Sequence, residues 1–209
     1  MDLEQLAGLR SPQGSAALDA AVGALAAGTE LAAASALRAK GFDPSLAAAA
    51  LTQVRLRSRA AAKFGTDADR MFFTADGLEQ ATRPVVAARR AARLSHAGVR
   101  RLTDLCCGLG ADTIACARAG ISVHAVEADP VTAAITEYNL EQLGLDATVT
   151  CTDAQSVALD RIGAAFCDPA RRVHGAGVRR TRRVFRPEDY SPPWDWVAAL
   201  PAKVPFIGC

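Results

Sequence analysis

The sequence predicts an α/β fold: a doubly wound parallel sheet, preceded by an α-helical N-terminal region. Three observations predict it. The stretch from Arg101 to Ile114 reads as strand, glycine turn and helix, with the turn at Gly108-Leu109-Gly110. That order opens a βαβ unit. Short apolar runs recur beyond it, at 121–127, 147–151 and 164–168, separated by stretches of helical period. Ahead of it, residues 1 to about 64 carry alanine-rich helical patterns broken by capping residues and glycines. The division is placed at 1–75 for the helical domain and 76–209 for the sheet domain.

Composition sets the bounds. The chain has 209 residues, of which 50% are hydrophobic and 22% charged, with a net charge of +2. That is ordinary globular composition, enough for one large or two small domains. There is no apolar run of about 18 residues and no charged-then-apolar leader. A cytoplasmic protein without a membrane partner is expected. The six cysteines, Cys106, Cys107, Cys116, Cys151, Cys167 and Cys209, form no Cys-x-x-Cys. Buried free thiols are expected, with no metal site.

In the N-terminal region Ser15 can cap a helix over 16–27, and Thr29 one over 30–39. Asp43-Pro44 starts a third, reaching about Lys63 before Gly65. Leu46, Ala50, Leu51, Val54 and Ala61 are its expected buried face, with Arg55, Arg57 and Arg59 turned to water or a partner. A loop holding Phe64, Met71, Phe72 and Phe73 follows, and Asp76 is placed as the cap of one helix from Gly77 to about Leu94. The loop either covers the junction between bundle and sheet or closes over a ligand through Thr74.

The sheet domain takes strands at 101–106, 121–127, 147–151 and 164–168, with helices at 111–119 and from Pro130 to Gly144. The second strand ends in Glu127, about twenty residues past the turn, where an acid can accept from both hydroxyls of a ribose. Glycines in the turn let a ligand lie against bare backbone. The expected ligand is therefore a nucleoside-containing cofactor, the alternative being a glycine turn in an α/β protein that holds no nucleoside. A dinucleotide site wants a third glycine where this chain has Thr113, which disfavours a nicotinamide-dependent oxidoreductase. Asp104 can meet an ammonium directly or through water, and S-adenosylmethionine carries one.

From Asp104 to Gly110 the chain resembles the first motif of the class I methyltransferases, whose fold is Rossmann-like. The resemblance implies S-adenosylmethionine as cofactor, held by Asp104, Cys106, Gly108, Gly110 and Glu127. It implies that Asp153 accepts from the adenine amino group; by itself Asp153 is also a good helix cap. At the end of strand four, Asp168-Pro169-Ala170-Arg171 resembles the Asp-Pro-Pro motifs of nucleic-acid methyltransferases, with alanine for the second proline. Asp168 and Pro169 are then the residues that position the methyl acceptor. The loop from Met71 to Glu79 is similar to one in trimethylguanosine synthase, which adds Thr74 to the cofactor contacts.

Two basic runs suggest a polyanionic partner. Residues 171–186 hold Arg171, Arg172, Arg179, Arg180, Arg182, Arg183 and Arg186, and residues 83–101 hold six more arginines, with no acid in either basic run. Arginine forks match phosphate geometry. RNA, as tRNA or rRNA, is the expected substrate, with Arg171 and Arg172 beside the acceptor. Trp194 and Trp196 can stack a base or pack a helix onto the sheet. The last residues, 203–209, read as strand five of a seven-stranded fold, so the sheet is expected to be C-terminally incomplete. Nearly the whole chain resembles bacterial methyltransferases that carry a THUMP-like RNA-binding domain after the sheet. A missing C-terminal domain is thus an expected partner, and a module that binds cofactor or RNA without catalysis is the alternative.

Overall fold

The structure is a computed structural model describing residues 1–159, 163–169, 172–173, 182–183, 186 and 190–208. It has two compact units, Met1–Leu78 and Glu79–Cys209.

The first unit is helical: α1 (Leu3–Arg10), α2 (Pro12–Ala27), α3 (Glu30–Ala39) and α4 (Pro44–Phe64). The cap of α2 is Ser11, not Ser15; its hydroxyl accepts from Gly14 N at 3.0 Å, and proline at the first helical position suits the start. Thr29 and Asp43 cap α3 and α4 as expected. The buried face of α4 is Ala47, Ala49, Ala50, Leu51, Gln53, Leu56 and Ala60. Leu46 and Val54 are half-buried and Ala61 is exposed, so the face is rotated from the expected one.

Polar residues of α4 do what apolar periodicity could not announce. The Gln53 side chain donates to Phe73 O at 2.8 Å and accepts from Phe73 N at 3.0 Å, fully buried. Arg57 donates to Met71 O at 2.9 Å and lies 5.1 Å from the centre of the Phe72 ring. Arg57 therefore faces inward, while Arg55 pairs with Glu30. These bonds satisfy an extended backbone, and Met71, Phe72 and Phe73 are buried by it.

One helix was expected from Gly77 to Leu94; there are two, α5 (Ala75–Gln80) and α6 (Pro84–His96). Pro84 lacks the N–H that a continuous helix needs at that point, so it starts a new one. The cap of α5 is Thr74, whose hydroxyl accepts from Gly77 N at 3.1 Å, rather than Asp76. On α6 the buried residues are Ala87 and Ala91; Val85 and Ala88 are exposed.

The second unit continues with β1 (Arg101–Asp104), α7 (Ala111–Arg118), β2 (Ser122–Glu127), α8 (Pro130–Leu143), β3 (Ala147–Cys151), β4 (Ala164–Phe166), β5 (Arg172–Val173), β6 (Arg182–Arg183), α9 (Trp194–Ala199) and β7 (Phe206–Gly208). Five parallel strands lie in the order β3-β2-β1-β4-β7, and β5 pairs with β6 in a separate antiparallel ladder. The expected fifth strand is thus present as β7. Helices cover both faces. Leu102, Val123, Ala164 and Phe166 pack with Ala91 of α6 and Cys116 of α7. Leu105, Ala165 and Cys167 pack with Val197 of α9 and with Leu200 and Val204. Trp196 adds to this second cluster, while Trp194 is 41% exposed. On α8, Ala133, Ile135, Thr136, Asn139 and Leu140 are buried, whereas Val131, Ala134 and Tyr138 are half-buried. Among the described residues no helix is long and apolar enough to cross a membrane.

Candidate cofactor site

Parallel strands bring their C-terminal ends to one edge. Asp104 ends β1 beside Ala125 of β2 and Phe166 of β4. Glu127 ends β2 opposite Cys151. Asp153 and Asp168 follow β3 and β4 by two residues. The four acids singled out by sequence therefore share this edge of the sheet with the glycine turn.

The turn is tied to β2. Gly108 N donates to Glu127 Oε2 at 3.0 Å, and Asp129 N donates to Oε1 at 2.9 Å. Each oxygen keeps a second lone pair. The Thr136 hydroxyl of α8 donates to Gly108 O at 2.6 Å. Gly108 and Gly110 have φ of +53° and +80°, which side chains other than glycine rarely adopt. A Cβ on Gly110 would sit 2.9 Å from Thr136 Cγ2, whereas one on Gly108 would meet nothing within 4 Å. The bare backbone at Gly108 thus faces open space. Burial raises the pKa of Glu127, opposed by its backbone bonds from Asp129 and Gly108.

Asp104 is 1% exposed. Its Oδ2 accepts from the Thr113 hydroxyl of α7 at 2.7 Å. Its Oδ1 is buried and has no hydrogen-bond partner among the described residues. Such an orphan costs about 1–3 kcal/mol. Burial raises the carboxyl from 3.8 to about 7, against the Thr113 bond; Asp112 adds to the rise, while the Cys106 N–H and Arg90 oppose it. The Cys106 N–H lies near the carboxyl without making a hydrogen bond to Oδ1. An acid left half-protonated near neutrality, with one oxygen open, fits a cation brought by a ligand.

Behind the turn stands a cluster that the sequence reading missed. Arg90 pairs with Asp112, lies 3.9 Å from the centre of the Phe166 ring, and so leaves the basic run to face inward. Thr82 donates to the other Asp112 oxygen at 2.6 Å. Asp112 lies in the first turn of α7, where a negative charge is favoured. The signal was available: a polar residue in the first turn after Gly-x-Gly, and one arginine on the buried side of the α6 spacing.

The Cys106 thiol is 3.8 Å from the Cys167 thiol, and that contact, ahead of burial, raises its pKa. Cys167 is buried and Asp168 exposed, as strand alternation requires. Pro169 is buried. Asp153 is exposed, and its side chain accepts from Gln155 N at 2.8 Å as the cap of the 154–156 turn. Thr74 belongs to the first unit, where it caps α5. Of the cysteines, Cys107 and Cys116 are buried, but Cys151 is exposed, against expectation; Cys209 lies outside the described residues. Arg171 also lies outside them, and Arg172 is described only as backbone, paired with Arg183. No group of acids, cysteines and histidines suited to a metal occurs among the described residues.

The fold is methyltransferase-like. A crystal structure of a candidate methyltransferase from Porphyromonas gingivalis W83 superposes with a TM-score of 0.58 and 24% identity, over 78% of this chain and 40% of that one. Two curated proteins, each called an uncharacterized S-adenosylmethionine-dependent methyltransferase, from two strains of Mycobacterium tuberculosis, are 34% identical over 142 residues. The match covers 66% of this chain, which spans only 37% of the length of those relatives. Residues 2–60 match a family described as a domain of unknown function (DUF8688).

Proposed function

We propose that the chain binds S-adenosylmethionine at the β1–α7 turn and belongs to an enzyme that transfers its methyl group, with RNA as the substrate. The single observation that carries the cofactor reading is the buried, unpartnered Oδ1 of Asp104 beside a glycine turn tied to Glu127. Two carboxyls around one turn repel a pyrophosphate and favour a ligand with an ammonium at one end and ribose hydroxyls at the other. The 34% identity to the mycobacterial proteins supports the same cofactor.

In this reading Asp104 receives the ammonium and Glu127 accepts from the ribose through its remaining lone pairs. Gly108 leaves room for the ligand, Gly110 lets the turn close against Thr136 so that its backbone lines the site, and Cys106 contributes backbone, its thiol being turned to Cys167. Asp153 accepts from the adenine amino group with the oxygen that does not cap the 154–156 turn. Asp168, at the end of β4, orients the acceptor through a hydrogen bond, with Pro169 stiffening the strand end. Bound S-adenosylmethionine supplies an activated methyl on a sulfonium. The protein's part is therefore positioning rather than strong acid–base chemistry.

RNA is supported by the exposed arginines of 83–101 and by the resemblance to THUMP-like-domain methyltransferases, whose further domain is a proposed partner. Both ligands are cytoplasmic, which is the proposed location.

Calorimetry with S-adenosylhomocysteine tests the cofactor site. Binding is expected for this chain, weakened at least tenfold by Glu127→Ala as two ribose hydrogen bonds are lost. No heat from the unaltered chain would remove the reading.

A further inference from the structure

Thr113 stands where a dinucleotide fingerprint has its third glycine, and it is fully buried in the first turn of α7. A buried hydroxyl there needs an acceptor, and it has one in Asp104 Oδ2 at 2.7 Å. The bond commits one oxygen of the carboxyl and leaves the other, Oδ1, buried without a partner.

We propose that Thr113 is a positioning residue for the cofactor: by holding Oδ2 of Asp104 it fixes the carboxyl so that Oδ1 receives the ligand's ammonium. The inference rests on the cofactor reading above. The hydroxyl donates to a carboxyl oxygen, which favours the ionised form, while burial favours the neutral one. Their balance leaves Asp104 titrating at about 7. An ammonium ligand selects the ionised form, so binding expels a proton.

The other charged and titratable groups around Asp104 do not reproduce this behaviour. Arg90 of α6 and Asp112 of α7 are paired with each other. Burial pushes the thiol of Cys107 up and that of Cys116 to about 12; Cys106 is raised chiefly by Cys167. All three stay neutral across the range of interest. Glu127 of β2 is also raised, but it serves the ribose. A nucleoside without an amino-acid end therefore reports Glu127 and not Asp104.

The experiment measures affinity by calorimetry between pH 6 and 8 for S-adenosylhomocysteine and for 5′-methylthioadenosine, which has the same nucleoside but no ammonium. For the unaltered chain the first ligand is expected to gain about tenfold over that range, as an acid titrating at 7 ionises, and the second not to show that gain. Thr113→Val, which keeps the shape and removes the donor, is expected to move the midpoint up by about one pH unit and to weaken S-adenosylhomocysteine about fivefold at pH 7. It should leave 5′-methylthioadenosine unchanged, and Thr113→Ser should restore the original profile. Asp104→Asn provides a second variant and should abolish the difference between the two pH profiles. If Thr113→Val weakens both ligands equally, or leaves the midpoint in place, the hydroxyl is merely structural and the inference is overturned. If the unaltered chain binds both ligands with identical pH profiles, the cofactor reading stands and this inference alone fails. If it binds neither, the cofactor reading itself falls, and the inference with it.

Discussion

Asp104 shows what burying one carboxyl costs in stability. In the unfolded chain it ionises near 3.8, and in the folded chain at about 7. Between those values the folded state binds more protons, so stability falls as pH rises from about 4 to about 7 and stays low above that. The difference corresponds to roughly 4 kcal/mol as an upper bound. Asp104→Asn removes the charge while keeping the shape. It is expected to melt several degrees higher than the unaltered chain at pH 8, with the advantage vanishing near pH 4, while S-adenosylhomocysteine binding is weakened and loses its dependence on pH. Thermal melts at the two pH values check this. A variant less stable at pH 8 would show that burial is not what governs the carboxyl.

At the scale of elements, the turn between β1 and α7 separates two uses of glycine. Gly110 has left-handed backbone and a neighbour, Thr136 Cγ2, already where a Cβ would go. Gly110→Ala is expected to cost about 1–3 kcal/mol of stability. Gly108 has left-handed backbone but open space beside it, so Gly108→Ala should cost only about 1 kcal/mol. Its methyl enters the space assigned to the ligand, so S-adenosylhomocysteine binding should fall by more than tenfold. Paired melting and calorimetry distinguish the two; an alanine at 108 that binds normally would place the ligand elsewhere. The same turn is braced from behind by α6, whose Arg90 holds Asp112 at the start of α7.

For the molecule as a whole, net charge is a poor guide and its distribution a better one. The chain carries only +2, yet residues 83–101 leave Arg83, Arg89, Arg93, Arg100 and Arg101 exposed without an acid among them. Arg101 begins β1, at the opposite strand end from Asp104, so the run leads away from the glycine turn. If it follows an RNA backbone, log affinity for a single-stranded RNA should fall with log salt concentration with a slope of up to about −3.5 for five phosphate contacts. Arg89→Ala with Arg93→Ala should reduce that slope by about 1.4 and leave S-adenosylhomocysteine affinity unchanged. Fluorescence anisotropy over a salt series measures both, and a slope unaffected by the double substitution removes α6 from the RNA surface.

Local chemistry was legible in the sequence because it acts through near neighbours. Thr29 and Asp43 cap their helices, the Gly-x-Gly turn follows its strand, and the parallel order follows from strands that alternate with helices. What depends on residues far apart in sequence was not legible. Gln53 serves the backbone of Phe73, Arg90 abandons the basic run for Asp112 and Phe166, and Thr113 claims one oxygen of Asp104. Each of these polar groups looks solvent-bound when only its own helix is considered. Tertiary packing decided otherwise, because a polar group taken out of water must find its partner inside, and which partner is near is set by how the elements meet.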